Sequence, residues 1–444
     1  MSGASDARAQ LEAIFREALA AVEGAAVVAR ALGGTGSALA IAGRPVPAEA
    51  EIVLLAVGKA AVPMASAFEA RCVGRIRAGL VVTRAGQGRA TTTLPVLEAA
   101  HPVPDASCPR AAGAVFALLE STRAEDVLCV LLSGGASSLL ACPVDGLTLS
   151  DLALTTQLLL EAGADIVETN TVRKRLAAAA GGRLASRSAA ERIEVLAVSD
   201  VPGDRADTIG SGPFSADPGD CEAALRVLDA RGLRERVPGA VRNYLEAGAG
   251  GERDPGPKPG DACFAGVRTT LLATNRDAVA AAREAGIRRG LDVRVLSPPL
   301  AGEARVAGRW LAGLARRLAP DRPTLLIAGG ETSVTVRGPG RGGRSQELAL
   351  AAALELGAGP AIALLAAGTD GVDGPTSAAG AFADSGTVSR GRAAGVDAQR
   401  ALAENDSHGF FAVEGGLLVT GPTGTNVMDL ALVRIDPRPT GPVS

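Results

Sequence analysis

Four apolar, strand-like runs of this chain end in glycine-rich loops that carry hydroxyls, carboxylates or an arginine. They are VLCVLLSGGASSLL, LLIAGGETSVTVRGPGRGGRSQE, ALLAAGTDGVDGPTSAAG and LLVTGPTGTNVMD, at positions 127–140, 325–347, 363–380 and 417–429. A buried strand that ends in such residues places open backbone N–H groups at the carboxyl edge of a sheet, where open α/β sheets bind ligands. Successive N–H groups in these turns bind anions. We therefore predict a site for a ligand with several phosphates, although each loop taken alone is also compatible with a tight turn and a serine helix cap.

Two basic residues are candidates to contact such a ligand. Of 45 basic residues only three are lysines, namely Lys59, Lys174 and Lys258, so a retained lysine indicates a need for a compact ammonium group. Lys59 follows the run EIVLLAV at a helix start, where the helix dipole disfavours a cation unless an anion lies nearby. Arg344 follows two glycines at another helix start, and arginine binds phosphate or carboxylate through two parallel bonds. The competing interpretations are a surface lysine and an ion pair that caps the helix.

Pairs of aspartates in strand-end loops could serve a metal or a proton transfer. Asp200 and Asp204 form one pair, and Asp370 and Asp373 form the other. Mg²⁺ is held by one or two carboxylates plus substrate phosphates, and a carboxylate can also accept the proton of an attacking hydroxyl. The competing interpretation is that each aspartate only stabilises its own turn.

Several common signatures do not occur in the chain. Neither a Walker A motif nor a GxGxxG that opens a βαβ unit is found, which weakens the case for a P-loop enzyme or a simple dehydrogenase. No GxSxG elbow supports a serine hydrolase. His101 and His408 are the only histidines, and neither has a second His or Cys at ligand spacing, so we predict no zinc site.

Composition narrows the class of protein. A chain of 444 residues is too long for a single hydrophobic core and has the length of two domains. A net charge of −3 with 2% aromatic residues argues against a nucleic-acid partner. The six cysteines show no CxxC spacing, and the N-terminus shows no signal-peptide pattern, so we predict a reduced, cytoplasmic protein. The uncharged segment at 127–144 is interrupted by SGGASS, so we predict that it does not span a membrane.

The alternation of strand-like and helix-like segments predicts two α/β domains with largely parallel sheets. The run AGAGGERDPGPKPGD, rich in glycine and proline, is the best linker candidate. We therefore predict an N-terminal domain over residues 1–246, a linker over 247–261 and a C-terminal domain over 262–444.

Taken together, these motifs resemble those of the class II glycerate kinases, which carry a C-terminal MOFRL domain. The resemblance extends over nearly the whole chain in order, through AVGKAAVPMA, AHPVPD, LLSGGASSLL, NTVRKRL, GGRLA, SDVPGDRADTIGSGP, GGETSVTVRGPGRGGRSQELAL, AAGTDGVDGPTSAAG and TGPTGTNVMDL. The resemblance implies phosphorylation of D-glycerate at O2 by ATP with Mg²⁺. It also implies two Rossmann-like, three-layer α/β domains, the second of MOFRL type, with the active site in a cleft between them.

The resemblance implies that Lys59 and Arg344 are the principal positive charges of that site, and from this we assign roles to individual residues as hypotheses. Lys59 and Arg344 would hold the substrate carboxylate and the transferring phosphoryl group. Asp200 would act on the 2-hydroxyl or, with Asp204, serve Mg²⁺. The loops would contact the nucleotide through Ser133, Gly134, Gly135, Ser137, Ser138, Gly329, Gly330, Glu331, Thr369, Asp370, Thr423, Gly424 and Asn426.

One position departs from the family pattern. Ala180 stands where a lysine is expected before the paired glycines, and Lys174 or Arg175 are the candidates to replace its charge. Two other functions therefore stay open, a hydroxypyruvate reductase and a non-catalytic sugar-acid binding protein. The sequence does not determine the oligomeric state, and we allow for a homodimer.

Overall fold

A computed structural model of the chain describes residues 2–88, 93–357 and 361–437. The chain divides into two compact units. The N-terminal unit is Gly24–Leu272, and the C-terminal unit combines Met1–Glu23 with Ala273–Ser444. Within the described ranges, every helix is too short or too polar to cross a membrane.

The first helix of the chain, α1 (Ser2–Val22), belongs to the C-terminal unit. The helices described in the N-terminal unit are α2 (Gly24–Ala31), α3 (Ala61–Arg71), α4 (Ser107–Glu120), α5 (Ala136–Leu139), α6 (Leu149–Glu161), α7 (Ile166–Leu176), α8 (Cys221–Ala230) and α9 (Gly239–Ala249). Its strands are β1 (Leu32–Gly33), β2 (Ala40–Ile41), β3 (Arg44–Pro45), β4 (Ile52–Val57), β5 (Ile76–Arg84), β6 (Val96–Ala99), β7 (Val127–Leu132), β8 (Arg192–Val198) and β9 (Val267–Ala273).

The main sheet of the N-terminal unit has the strand order β6-β5-β4-β7-β8-β9. The pairings β5–β6, β4–β5, β4–β7 and β7–β8 are all parallel. The chain starts this sheet at β4, winds outward to β6 and then returns to β7 on the other side, which is the order of doubly wound dinucleotide-binding folds. The predicted α/β class with a parallel, Rossmann-like sheet is confirmed here, and the switch point lies between β4 and β7.

The sequences of β4 and β7 explain their central position. IVLLAV and VLCVLL are continuous apolar runs, and every residue in both is buried. Such runs are typical of parallel strands that helices cover on both faces. Leu55 of β4 and Val130 of β7 are in register, and both belong to one apolar core. Helix α4 contributes Val115 and Leu119 to the same core, which fixes this helix against the sheet.

The C-terminal unit adds a second set of elements. Its further described helices are α10 (Asn275–Arg288), α11 (Ala304–Arg317), α12 (Arg344–Leu356), α13 (Thr387–Ala393), α14 (Ala398–Ala403) and α15 (Ser407–Glu414). Its strands are β10 (Asp292–Val295), β11 (Thr324–Gly330), β12 (Ile362–Gly368), β13 (Gly380–Asp384), β14 (Leu417–Leu418) and β15 (Asp429–Ile435).

The sheet of the C-terminal unit is mixed, with the strand order β10-β11-β15-β12-β13-β14. Among its described strands, β10 and β11 pair in parallel, whereas the other pairings are antiparallel. This sheet differs from the largely parallel arrangement that the sequence predicts. The reason is that β15 inserts between β11 and β12 from the far end of the chain, and that β13 follows β12 without the crossover helix that a parallel pair needs.

Helix α1 packs on the C-terminal unit although it opens the chain. Its residues Leu11, Ile14 and Phe15 are fully buried. Arg8 Nη2 lies 2.8 Å from Asp384 Oδ2 at the end of β13. The apolar face of α1 is therefore buried within the C-terminal unit.

The predicted linker is attached to the N-terminal unit. Arg175 Nη1 donates a hydrogen bond of 2.8 Å to the carbonyl of Pro255, and Lys258 Nζ donates one of 3.3 Å to the carbonyl of Asp217. These contacts place residues 247–261 in the same compact unit as β9. The boundaries 1–246, 247–261 and 262–444 stay a prediction about domain organisation, and the two compact units follow a different division.

Candidate functional site

Lys59 and the SGGASS loop meet at the switch point of the N-terminal sheet. Val57 and Leu132 are in register at the ends of β4 and β7, so the loops that follow them are neighbours. The amide of Lys59 donates a 2.9 Å hydrogen bond to the carbonyl of Gly134, and the amide of Ala60 donates a 3.0 Å bond to Ser133 Oγ. The structure thus brings together two predicted site segments that are far apart in sequence.

The three serine hydroxyls of the loop have different surroundings. Ser133 Oγ is fully buried and accepts the bond from Ala60. Ser138 Oγ donates a 2.9 Å bond to the carbonyl of Pro102, which ties the loop to the HPVPD turn. Ser137 Oγ lies 2.8 Å from Ser211 Oγ, which belongs to a different predicted motif, GSGP. Ser133 and Ser138 therefore hold the loop in place, and Ser137 is the hydroxyl that faces a second loop.

His101 also reaches this site. A β-carbon built on Gly135 would lie 3.1 Å from His101 Cδ2 and 3.4 Å from Lys59 Cγ, so both side chains lie against the glycine loop. Gly135 has a φ of 90°, which glycine adopts without strain. The glycine therefore allows a histidine and a lysine to approach one loop.

Asp200 and Asp204 lie at the adjoining strand end. They follow β8, which pairs with β7, and both are half-buried. The amide of Asp204 donates a 3.2 Å bond to the carbonyl of Val201, and its φ of 55° lies in the left-handed region that aspartate adopts more readily than most residues. The described residues contain no group of three or more His, Cys, Asp or Glu that could hold a metal. Mg²⁺ bound with substrate phosphates requires only one or two carboxylates, so Asp200 and Asp204 stay the predicted donors.

Three strand ends meet at one edge of the C-terminal sheet. Asp429, the first residue of β15, is in register with Gly330 of β11 on one side and Gly368 of β12 on the other. The predicted residues at the ends of β11 and β12, or in the loop that precedes β15, therefore belong to one edge. They are Gly329, Gly330, Glu331, Thr369, Asp370, Thr423, Gly424 and Asn426.

Threonine hydroxyls join the loops at this edge. Thr369 Oγ1 donates a 2.6 Å bond to the carbonyl of Met428 and accepts a 2.8 Å bond from the amide of Val427. Thr423 Oγ1 donates to the carbonyl of Thr369. Asn275 Nδ2 donates a 2.7 Å bond to the carbonyl of Val427 from helix α10. These hydrogen bonds fix the path of the loops at this edge.

Arg344 forms a charge cluster with two carboxylates. Its Nε and Nη2 atoms donate to Asp429 Oδ2 and Oδ1 at 2.6 and 2.9 Å, and its Nη1 lies 2.5 Å from Glu331 Oε1. Burial alone would lower the pKa of Arg344, but Asp429 and the other nearby carboxylates raise it above its ordinary value. Asp429 is a site residue that the sequence analysis missed, although it ends one of the quoted motifs.

Asp373 has a structural role that the pairing of aspartates in the sequence does not reveal. Its carboxylate accepts bonds of 3.0 and 2.8 Å from the amides of Ser345 and Gln346, at the first turn of α12. Burial raises the pKa of Asp373 to about 6, against the backbone bonds that lower it. Asp370 is half-buried and accepts a 3.0 Å bond from the amide of Val372, as turn-forming aspartates do.

The basic triplet at 173–175 contains both candidates to replace the charge missing at Ala180. Arg175 is buried against Asp217, and Lys174 Nζ lies 3.6 Å from Asp217 Oδ1 and 3.9 Å from Asp207 Oδ2. Both candidates are therefore paired with carboxylates. Arg173 forms no ion pair or side-chain hydrogen bond within the described part of the chain, and burial lowers its pKa.

Arg173 lines a small cavity with Ser137, Ala180 and Ser211. The cavity measures about 20 Å³, which is room for about one water molecule. The sequence analysis missed Arg173, because spacing alone does not distinguish it from its two paired neighbours. The signal that could identify Arg173 is its side of helix α7, which is opposite to the side on which Arg175 contacts Asp217.

Comparisons with known proteins identify the family of this chain. A domain of unknown function, DUF4147, matches residues 10–246, and the MOFRL family matches residues 324–429. The glycerate 2-kinase of Pyrococcus horikoshii is 36% identical over 94% of this chain and 94% of its own length. The chain belongs to the class II glycerate kinase family.

Other relatives extend the picture of this glycerate kinase family. The crystal structure of a glycerate kinase from Thermotoga maritima superposes with a TM-score of 0.81 at 35% identity, covering 97% of this chain and 100% of that one. A protein of Agrobacterium vitis named as a putative hydroxypyruvate reductase is 38% identical over 86% of this chain and 87% of its own length. The family therefore includes members that carry two different activity names.

Proposed function

We propose that this chain is a glycerate 2-kinase that transfers the γ-phosphoryl group of ATP to O2 of D-glycerate with the help of Mg²⁺. The observation that carries the proposal is 36% identity, over nearly the full length of both chains, to a protein named as a glycerate 2-kinase. The loops at the switch point support it, because phosphoryl transfer depends on positioning and charge neutralisation more than on covalent chemistry.

In the N-terminal unit, Lys59 provides a positive charge beside the backbone of the SGGASS loop. We assign Lys59 to the transferring phosphoryl group or the substrate carboxylate, and Gly134, Gly135 and Ser137 to nucleotide phosphates. Backbone N–H groups suit this role because they need no reorganisation as charge develops. Ser133 and Ser138 keep the loop in position through the bonds to Ala60 and Pro102.

Asp200 and Asp204 are the proposed carboxylates for Mg²⁺ and for the substrate hydroxyl. As O2 of glycerate bonds to the γ-phosphorus, the bond to the bridging oxygen of ADP breaks, and Asp200 accepts the hydroxyl proton. Asp204 would hold Mg²⁺ together with phosphate oxygens. The ion, when bound, neutralises charge on the phosphates.

In the C-terminal unit, Arg344 is the proposed anion-binding group. Its bidentate partner Asp429 is 13% exposed, whereas its other partner Glu331 is 34% exposed. We propose that an incoming phosphate or carboxylate displaces Glu331 and leaves the bond to Asp429 in place. Asp429 would then orient the guanidinium while a third N–H direction serves the ligand.

The first test is ³¹P NMR of the purified protein with MgATP and D-glycerate. We expect a 2-phosphoglycerate resonance that grows as ATP falls. A 3-phosphoglycerate resonance would contradict the O2 assignment and keep the kinase. Binding of D-glycerate by the folded protein without ATP turnover would contradict the kinase and support a sugar-acid binding protein.

The name of the Agrobacterium vitis relative makes a hydroxypyruvate reductase the second candidate. Strand order in the N-terminal unit suits a dinucleotide, but the first strand–helix turn reads Gly58-Lys59-Ala60 and lacks the glycine pattern that admits a pyrophosphate. We therefore expect no oxidation of NADH in the presence of hydroxypyruvate. Oxidation that depends on both compounds would overturn the kinase as the main activity.

We also place the protein in the cytoplasm. The six cysteines are all free, and four of them are buried. Buried free thiols are usual in reducing compartments, where disulfides rarely persist.

A further inference from the structure

A separate cavity lies in the N-terminal unit, between the segment that follows Ala180 and the segment 253–263. Its volume is about 520 Å³, within the range of roughly 300–1,000 Å³ that is common for small-molecule sites. Three arginines line it, namely Arg183, Arg187 and Arg253, together with the buried ring of Tyr244. None of these residues has a role in the proposed kinase reaction.

The three guanidinium groups differ in their partners. Arg187 Nη1 is paired with Glu120 at 2.7 Å. Over the ranges that the structure describes, neither Arg183 nor Arg253 forms an ion pair. An anion that enters the cavity would therefore meet two available arginine forks.

The available arginines are held in place by contacts other than ion pairs. Arg183 Nη1 donates a 2.9 Å bond to the carbonyl of Lys174. A β-carbon on Gly256 would lie 2.9 Å from Arg183 Cζ, so the guanidinium packs closely against this segment. Arg253 Cζ lies 5.1 Å from the centre of the Tyr244 ring, at cation–π distance. Orientation of both groups before binding reduces the entropy lost on binding.

The acidic residues of the cavity indicate what else the ligand carries. Asp145, Asp254 and Asp261 are all exposed, and Asp254 and Asp261 each accept a 2.8 Å bond from a backbone amide of their own segment. These carboxylates balance the formal charge of the lining, so a bare anion gains little from long-range attraction. Hydroxyl groups on the ligand can donate to them, while a phosphate accepts from the arginines.

We propose that this cavity binds a small hydroxylated phosphate ester through Arg183 and Arg253. A tetrahedral phosphate offers oxygens to two guanidinium groups at once, which a planar carboxylate does less well. The site is distinct from the loops at the switch point and does not depend on the kinase reaction. Arg183 connects it to the segment that lines the functional site, because its guanidinium bonds the carbonyl of Lys174 next to Arg173.

Tyr244 gives a direct probe of this site, because it is the only tyrosine of the chain. We suggest labelling the protein with ring-¹³C tyrosine and titrating the full chain with glycerol 3-phosphate, while following the single Tyr244 signal. The expected result is a saturable shift of that signal. A signal that does not move, or that moves linearly without saturation, would overturn the proposal.

Variants separate this site from the kinase site. Arg253→Glu, at an exposed position, should raise the Kd obtained from the Tyr244 shift at least tenfold without changing the melting temperature. The matched control Arg236→Glu, at another exposed arginine of the same unit, should keep it. Lys59→Ala should also keep it, because Lys59 belongs to the switch-point loops. An equal shift in Arg253→Glu and the unsubstituted protein would contradict the assignment.

Discussion

The predicted site edges of the two units arise from similar sequence motifs, but their arginines differ in their carboxylate partners. In the N-terminal unit, Arg173 lines a cavity beside the Ser137–Ser211 pair. Arg173 has no carboxylate partner within the described residues. In the C-terminal unit, Arg344 contacts both Glu331 and Asp429. The arginine at the first edge thus pairs with no carboxylate among the described residues, whereas two carboxylates neutralise the arginine at the second edge. Substitutions at the first edge should therefore change activity before stability, and those at the second should change stability as well.

The largest effect is expected for Lys59→Ala. Loss of a charge that neutralises the phosphoryl group should lower kcat roughly thousandfold, about 4 kcal/mol, with an unchanged melting temperature. Lys59→Arg should not restore activity, because a planar fork does not replace a compact ammonium group. ADP release measured in a coupled assay tests this, with Arg236→Ala as the control. Full activity in Lys59→Ala would remove Lys59 from the site.

Asp373 should stabilise the C-terminal unit more at low pH than at neutral pH, whereas a usual carboxylate does the opposite. Its pKa rises from 3.8 unfolded to about 6 folded, so the folded state binds more protons between these values. Stability from this group is therefore present below about pH 4 and falls as pH rises through 6, by up to about 3 kcal/mol. Urea unfolding of the protein and of Asp373→Asn across pH 4–7 measures the difference. A difference that does not change with pH would contradict the raised pKa.

Asp429→Asn tests the neutralised arginine of the C-terminal edge. The substitution leaves Arg344 with Glu331 as its remaining ionised partner and should destabilise the protein by about 2 kcal/mol. Glu331→Gln, which removes the more exposed partner, should cost less than half of that. Chemical denaturation measures both. Equal decreases in the free energy of unfolding would show that the bidentate contact with Asp429 stabilises the protein no more than the contact with Glu331.

The smallest effect is expected for Arg173→Ala at the N-terminal edge. Removal of a charge that faces the cavity should reduce kcat/KM roughly tenfold, about 1.4 kcal/mol. The melting temperature should stay the same or rise, because burial of an unpaired charge costs stability. Lys174→Ala, which breaks a buried pair, should instead lower the melting temperature. If Arg173→Ala lowers stability without changing kcat/KM, its role is structural.

Local patterns predicted the central elements well. The apolar runs at 51–57 and 126–132 became β4 and β7, and the glycine loops after them lie side by side because parallel strands end at the same edge. The α/β class and the family follow from the same motifs. These features depend on residues that are close in sequence, so a single chain is enough to find them.

Pairing between distant segments could not be predicted in the same way. The run DLALVRI gives a strand, but nothing local shows that β15 lies between β11 and β12 and makes the sheet mixed. Likewise, Asp373 appeared equivalent to Asp370, and only the position of α12 shows that it holds a helix start. Arg173 differed from Lys174 and Arg175 only through the location of Asp217.

The position of α1 has a consequence for the order of events during synthesis. Its buried face, with Leu11, Ile14 and Phe15, packs in a unit whose remaining residues begin at Ala273. At about 5–20 residues per second, the ribosome needs roughly 10–50 s to make the intervening segment. During that time the helix has no native surface to cover it, while Gly24–Leu272 can already fold. Helix α1 is thus made before Gly24–Leu272 but can be buried only after residues from Ala273 onward have been made.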